Sequence, residues 1–137
     1  MSATHLRRVY DTILLPGAEY SSVIYHKLIP NYLSDKLENV QKMAVGIIYG
    51  AGKYGKMVED GELVTLEKRR EKAMAEFARK AVHAPGFGQR WFPVAPITER
   101  DIRSTTHRKY VEARCKTERM RNNPLQCMAR LLNKEIG

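Results

Sequence analysis

The sequence predicts a mainly α protein: a small helical domain of three to four helices, then an extended basic C-terminal arm and a short closing helix. Three observations carry this expectation. Apolar residues recur every three to four positions in separate stretches, helix-starting and helix-stopping residues stand at their ends, and residues 99–121 lose the periodicity while gathering cations. A chain of 137 residues is sized for one folding unit with one core, read here as a helical domain over 1–98 and the arm over 99–137.

From His5 to Leu15, the residues Leu6, Val9, Tyr10, Ile13 and Leu14 fall on one helical face. Pro16 and Gly17 are expected to kink or end this helix, before a stretch from Ala18 to Tyr25 that reads as a second helical piece or a short extended one. A further helix starts at Asn31 or Ser34. It carries Leu33, Leu37, Val40, Ala44, Ile47 and Ile48 on its inner face and Asp35, Lys36, Glu38, Asn39 and Lys42 on the other, with Gly50 as its left-handed terminator. Thr65 supplies the N-cap of the next helix, which has Leu66, Arg70, Ala73, Phe77 and Ala81 along one side and stops near His83, ahead of Pro85-Gly86. No regular structure is expected around Trp91-Phe92-Pro93 and Pro96. Asn123 and Pro124 then open the closing helix, with Leu125, Met128, Leu131 and Leu132 facing inward.

The balance of 24 Lys+Arg against 15 Asp+Glu gives a net charge of +9, which draws polyanions at long range. Nucleic acid is the first such partner; an anionic membrane or an acidic protein in an assembly has the same attraction. Cys115 and Cys127 lack the companions of a zinc set and read as ordinary thiols of a reducing, intracellular compartment, which the sequence does not specify further. No apolar run reaches the ~20 residues that span a bilayer. The opening MSATHLRRVYDTILL resembles a mitochondrial presequence in its basic amphipathic character, but Asp11 interrupts it and it is read as a helix of the mature fold.

Gly50-Ala51-Gly52-Lys53-Tyr54-Gly55 matches the spacing of a dinucleotide-binding turn. That turn requires a strand before it and a crossover helix after it, whereas Ala44 to Tyr49 continue a helical pattern. The glycines are therefore read as a helix terminator, and a small nucleotide-dependent enzyme using this turn is kept as an alternative. His5, His26, His83 and His107 are scattered, and no nucleophile elbow or phosphate loop occurs. No catalysis, cofactor or metal is expected.

Two cationic groups are candidates for phosphate contact. One is Lys68, Arg69 and Arg70. The other lies in 99–121, where Arg100, Arg103, Arg108, Lys109, Arg114, Lys116, Arg119 and Arg121 outnumber four acids by four. Tyr110, Trp91 and Phe92 offer aromatic faces for base stacking, with core packing as the competing role for Trp91 and Phe92.

Three blocks, IPNYLSDKLENVQKMAVGIIYG at 29–50, LVTLEKRREKAMAEFARKAV at 63–82 and YVEARCKTERMRNNPLQCMARLLN at 110–133, resemble the region downstream of the polymerase in non-LTR retrotransposon reverse transcriptases. The stretch VYDTILLPGAEYSSVIYH at 9–26 is similar to the thumb-like helices of the same proteins. The resemblance covers nearly the whole chain in the same order. It implies a non-catalytic copy of a region that helps hold template or target nucleic acid, unable to polymerise without the palm, and either a fragment or a retroelement remnant reused as a small protein. It also singles out Lys68, Arg69, Arg70, Arg114, Lys116, Arg119 and Arg121 as contacts. Gln41-Lys42-Met43 and Gly46 depart from it by lacking basic residues common there. The expected function is RNA binding, with RNA favoured over DNA, alone or as a subunit of a nucleoprotein particle. The alternative is a structural subunit of a protein assembly that makes no nucleic-acid contact.

Overall fold

A computed structural model describes residues 1–96 and 109–136. Among these the protein is mainly helical, as the periodicity predicts, with no strand and one isolated antiparallel bridge, Val94 to Tyr110. In chain order the helices are α1 (Ala3–Val9), a π-helical turn (Tyr10–Leu14), α2 (Leu15–Glu19), α3 (Ser22–Tyr25), α4 (Asn31–Tyr49), α5 (Lys53–Glu59), α6 (Leu66–Val82), α7 (Gly88–Trp91), α8 (Glu118–Arg121) and α9 (Pro124–Ile136). They fold as two compact units, Met1–Ser22 with Ile29–Glu71, and Val23–Leu28 with Lys72–Gly137. The compositional boundary at 98/99 lies outside the described residues.

In the first unit, the helix begun by α1 is deformed at Pro16 rather than ended. Proline has no N–H to offer the carbonyl one turn back, and its ring clashes with it. The chain widens just ahead of it: the Leu15 N–H donates to the Tyr10 carbonyl, five residues back, and α2 resumes with Pro16 in its first turn, where a missing donor costs little. Tyr10, Leu15, Ala44 and Leu66 form the core here, with Ala18, Leu37 and Ile48 packed on it.

Helix α4 is turned relative to its apolar stripe by roughly half the ~100° step of one residue. Gln41, Ala44 and Val45 are the buried positions, whereas Val40, Met43 and Ile47 are exposed, Ile47 at 73%. A polar seam explains the rotation. Ser34, Glu38 and Gln41 lie on the inner side and bind the chain entering α6: the Arg70 Nη2 donates to Ser34 Oγ (2.7 Å), the Leu66 N–H to Glu38 Oε2 (3.1 Å), and Gln41 Nε2 to the Val64 carbonyl (3.1 Å). Glu38 also accepts the Tyr54 hydroxyl. Leaving these acceptors and donors unmet costs more than exposing three apolar side chains partway. Glu38, expected on the solvent face, is thus half-buried.

Thr65 caps α6 as expected, its hydroxyl accepting the Lys68 N–H at 3.4 Å. In the second unit, Met74, Ala78 and Ala81 of α6 pack with Phe92, Tyr110, Cys127, Met128, Ala129 and Leu132. Length alone predicts one core; two clusters form because α6 is long enough to place Leu66 in one and Met74 to Ala81 in the other. Phe77, on the same side as Leu66 and Ala81 by spacing, is exposed. Asn123 Oδ1 caps α9 by accepting the Leu125 N–H (3.0 Å), and Met128 and Leu132 are buried as their spacing predicts.

Candidate nucleic-acid interface

The residues from Lys109 to Arg121 form a strap in the second unit, non-helical until the single turn of α8. Its backbone is pinned at intervals. The Ala95 N–H donates to the Lys109 carbonyl (2.8 Å) and the Val111 N–H to the Pro93 carbonyl (2.9 Å). Between them Asn133 acts as a side-chain substitute for a neighbouring strand: Oδ1 accepts the Tyr110 N–H (3.0 Å), while Nδ2 donates to the Tyr110 carbonyl (3.1 Å) and to Glu112 Oε1 (2.8 Å). Gln126 Oε1 accepts the Ala113 N–H (3.0 Å), and the Thr117 hydroxyl caps α8 through the Met120 N–H (3.3 Å). The Arg121 carbonyl accepts from the Arg130 guanidinium, and the Cys127 thiol lies 3.7 Å from it.

This fastening uses backbone groups and leaves the cationic side chains outward. Arg114, Lys116, Arg119 and Arg121 are exposed and, among the described residues, make no ion pair. Lys109 is also exposed, its ammonium 5.7 Å from the Tyr110 ring centroid. Arg100, Arg103 and Arg108 lie outside the described residues. Arg119 also lines a cleft of about 440 Å³ with Lys27, Leu28, Glu118 and Asn122. Among the described residues two cations there stand with one carboxylate, an arrangement that attracts an anion. Lys27 carries no sequence signal of this role; it joins the strap only because Val23–Leu28 folds with the C-terminal unit.

The Lys68–Arg70 group is differently placed. Lys68 is exposed. Arg69 is committed to Glu19, with Nη2 to Oε2 at 3.2 Å, and that hydrogen bond pushes its already high pKa further up. Arg70 is 1% exposed, so its expected role as a surface phosphate contact is corrected to a buried one. The reason is its place on the inner face of α6, where it reaches Ser34. The three consecutive cations thus point in different directions, as consecutive helical residues do. They also belong to the first unit and the strap to the second.

The aromatic expectations sort by burial. Phe92 and Tyr110 are in the core, ring centroids 6.3 Å apart and edge to face, which leaves neither free to stack on a base. Trp91 is 40% exposed.

The Gly50 to Gly55 turn lacks the context of a dinucleotide site. Helix α4 runs into it to Tyr49, Gly50 and Gly52 take positive φ (100° and 80°), and only the seven residues of α5 follow. The glycines are there because an L side chain rarely adopts those angles. Tyr54 of this turn is engaged with Glu38. Both cysteines are free thiols; burial pushes the Cys127 thiol above its ordinary value, which makes it less reactive. Among the described residues no group of side chains could hold a metal ion, and no helix is long and apolar enough to cross a membrane.

No protein-family model, curated protein or solved structure matches the chain significantly.

Proposed function

We propose that the protein is a non-catalytic nucleic-acid-binding protein, RNA favoured, acting alone or within a nucleoprotein particle and derived from the C-terminal region of a retroelement reverse transcriptase. The observation that carries the reading is the strap: four exposed cations, Arg114, Lys116, Arg119 and Arg121, with no ion-pair partner among the described residues, on a backbone tied down by Asn133, Gln126 and Thr117. A polycation of this kind neutralises phosphates and releases their counterions. Ordering the backbone beforehand lowers the entropic cost of binding. RNA is favoured because the cations lie along non-helical chain and a single helical turn, not on a helix long enough to read a DNA major groove. The resemblance of residues 110–133 to the retroelement region points the same way.

Fluorescence anisotropy of a short labelled RNA tests the reading. Replacing Arg114, Lys116, Arg119 and Arg121 together by Ala is expected to weaken binding at least about tenfold through lost phosphate contacts. Equal affinity of variant and wild type would overturn it.

A second reading, a structural subunit of a protein assembly, is favoured by one observation. Val40, Met43 and Ile47 make an exposed apolar stripe along α4, the kind of surface that soluble proteins cover with a partner. A pull-down from native extract separates the two: nuclease releases the bound material under the first reading and leaves it under the second.

A further inference from the structure

Apart from the strap's charges, the second unit exposes three aromatic side chains that share one groove. Phe77, Lys80, Ala81, Ala84, Phe87 and Trp91 line an open depression of about 360 Å³. That size is within the ~300–1,000 Å³ of ligand-binding pockets. Ala81 and Ala84 form a small-residue floor, while Phe77 is 42%, Phe87 57% and Trp91 40% exposed. The rings of Phe87 and Trp91 meet edge to face, centroids 5.6 Å apart at 60°. The placement is built into the backbone. At Gly88 the chain approaches the end of α6 so closely that a Cβ would sit 2.1 Å from the Val82 carbonyl oxygen. This fold-back sets Phe87 and Trp91 against the face that carries Phe77.

We infer that this groove is a stacking platform for an unpaired nucleobase, with Lys80 at its edge to meet the adjoining phosphate. The inference rests on the nucleic-acid reading above and adds a preference for single strands. Aromatic faces serve any base, and only an unstacked base can lie on them. Charge argues for this occupant: among the described residues that line the groove the one ionic group is a cation, Lys80, and the protein carries +9. Shape argues against an amphipathic helix as the occupant, because helix-in-groove recognition needs anchors at i, i+3, i+4 and i+7 along an extended trough. Three rings around two alanines provide one such seat.

Trp91 is the only tryptophan, so the intact protein reports on the site directly. Intrinsic fluorescence is titrated with oligouridylate and with a duplex RNA of equal length, at low salt. Oligouridylate is expected to quench Trp91 emission saturably, and duplex RNA to leave it unchanged. In anisotropy with labelled oligouridylate, Trp91→Ala and Phe87→Ala are each expected to weaken binding about tenfold without altering the salt slope, and Trp91→Phe to retain most of the affinity. Saturating oligouridylate that leaves Trp91 emission unchanged, or a Trp91→Ala variant that binds like wild type, overturns the platform while leaving the strap's role intact. Equal response to duplex and single strand also overturns it. Absence of binding to any RNA at low salt removes both this inference and the proposed function.

Discussion

Glu38 is expected to be a principal fastening of the first unit. Its carboxylate accepts the Leu66 N–H at 3.1 Å and the Tyr54 hydroxyl, joining α4 to the start of α6 and to α5. Substituting Ala removes both acceptors at once. Leu66 is almost fully buried, so water replaces the lost partner of its N–H poorly. Hydrogen bonds to charged groups contribute about 1.5–3 kcal/mol each. Because Glu38 is half-buried rather than enclosed, the lower bound applies to each, and Glu38→Ala should cost about 3 kcal/mol. Tyr54→Phe, which removes only one of the two, should cost about 1.5 kcal/mol. The double variant should then be no worse than Glu38→Ala alone, a coupling of about 1.5 kcal/mol between the positions. Urea unfolding followed by circular dichroism measures all four proteins. A Glu38→Ala loss under about 0.5 kcal/mol, the range of ordinary surface substitutions, would refute the seam as the cause of the α4 rotation.

Asn133→Ala should destabilise the protein by about 2 kcal/mol, since it strips partners from both backbone groups of buried Tyr110; a chemical-denaturation midpoint unchanged from wild type would contradict this. Arg70→Met should be neutral or stabilising by about 1 kcal/mol and leave RNA affinity unchanged, because it replaces a buried guanidinium whose Nε and Nη1 have no hydrogen-bond partner among the described residues; a loss above about 2 kcal/mol, or weaker RNA binding, would show that the cation is needed. Tyr54 adds a pH dependence: burial, and then its bond to Glu38, raise its pKa above the ordinary 10.0. The unfolded state therefore loses this proton first, and the stabilisation present below about pH 10 declines as pH rises beyond it. Urea midpoints of wild type and Tyr54→Phe should converge between about pH 9 and 11, and parallel curves would contradict the assignment.

What was legible in the sequence was local. Thr65 and the Asn123-Pro124 pair mark helix starts because their side chains and ring act on the next few residues, and those starts stand where their chemistry places them. The helical character of 44–49, which decides how the glycines at 50–55 are understood, was equally a matter of neighbours three and four apart. Which way each helix faces was less legible. The apolar stripe of α4 competes with Ser34, Glu38 and Gln41, whose partners lie 16 to 36 residues away, and no spacing rule on α4 itself contains them. Spacing puts Arg70 and Phe77 on one side of α6, and the structure separates them, Arg70 inward and Phe77 to the groove. The strap's cations were recognisable by their density; their freedom was not, because it depends on Asn133 and Gln126 holding the backbone by side chains from α9. Lys27 and Phe87 offered no signal, since their roles arise from chain returning across the second unit.

The salt dependence of RNA binding tests the central claim most directly. With about five phosphates neutralised on a single strand, the dissociation constant measured from about 50 to 200 mM salt should give a log–log slope of affinity near −3.5. A slope near zero over that range would contradict phosphate neutralisation by the strap.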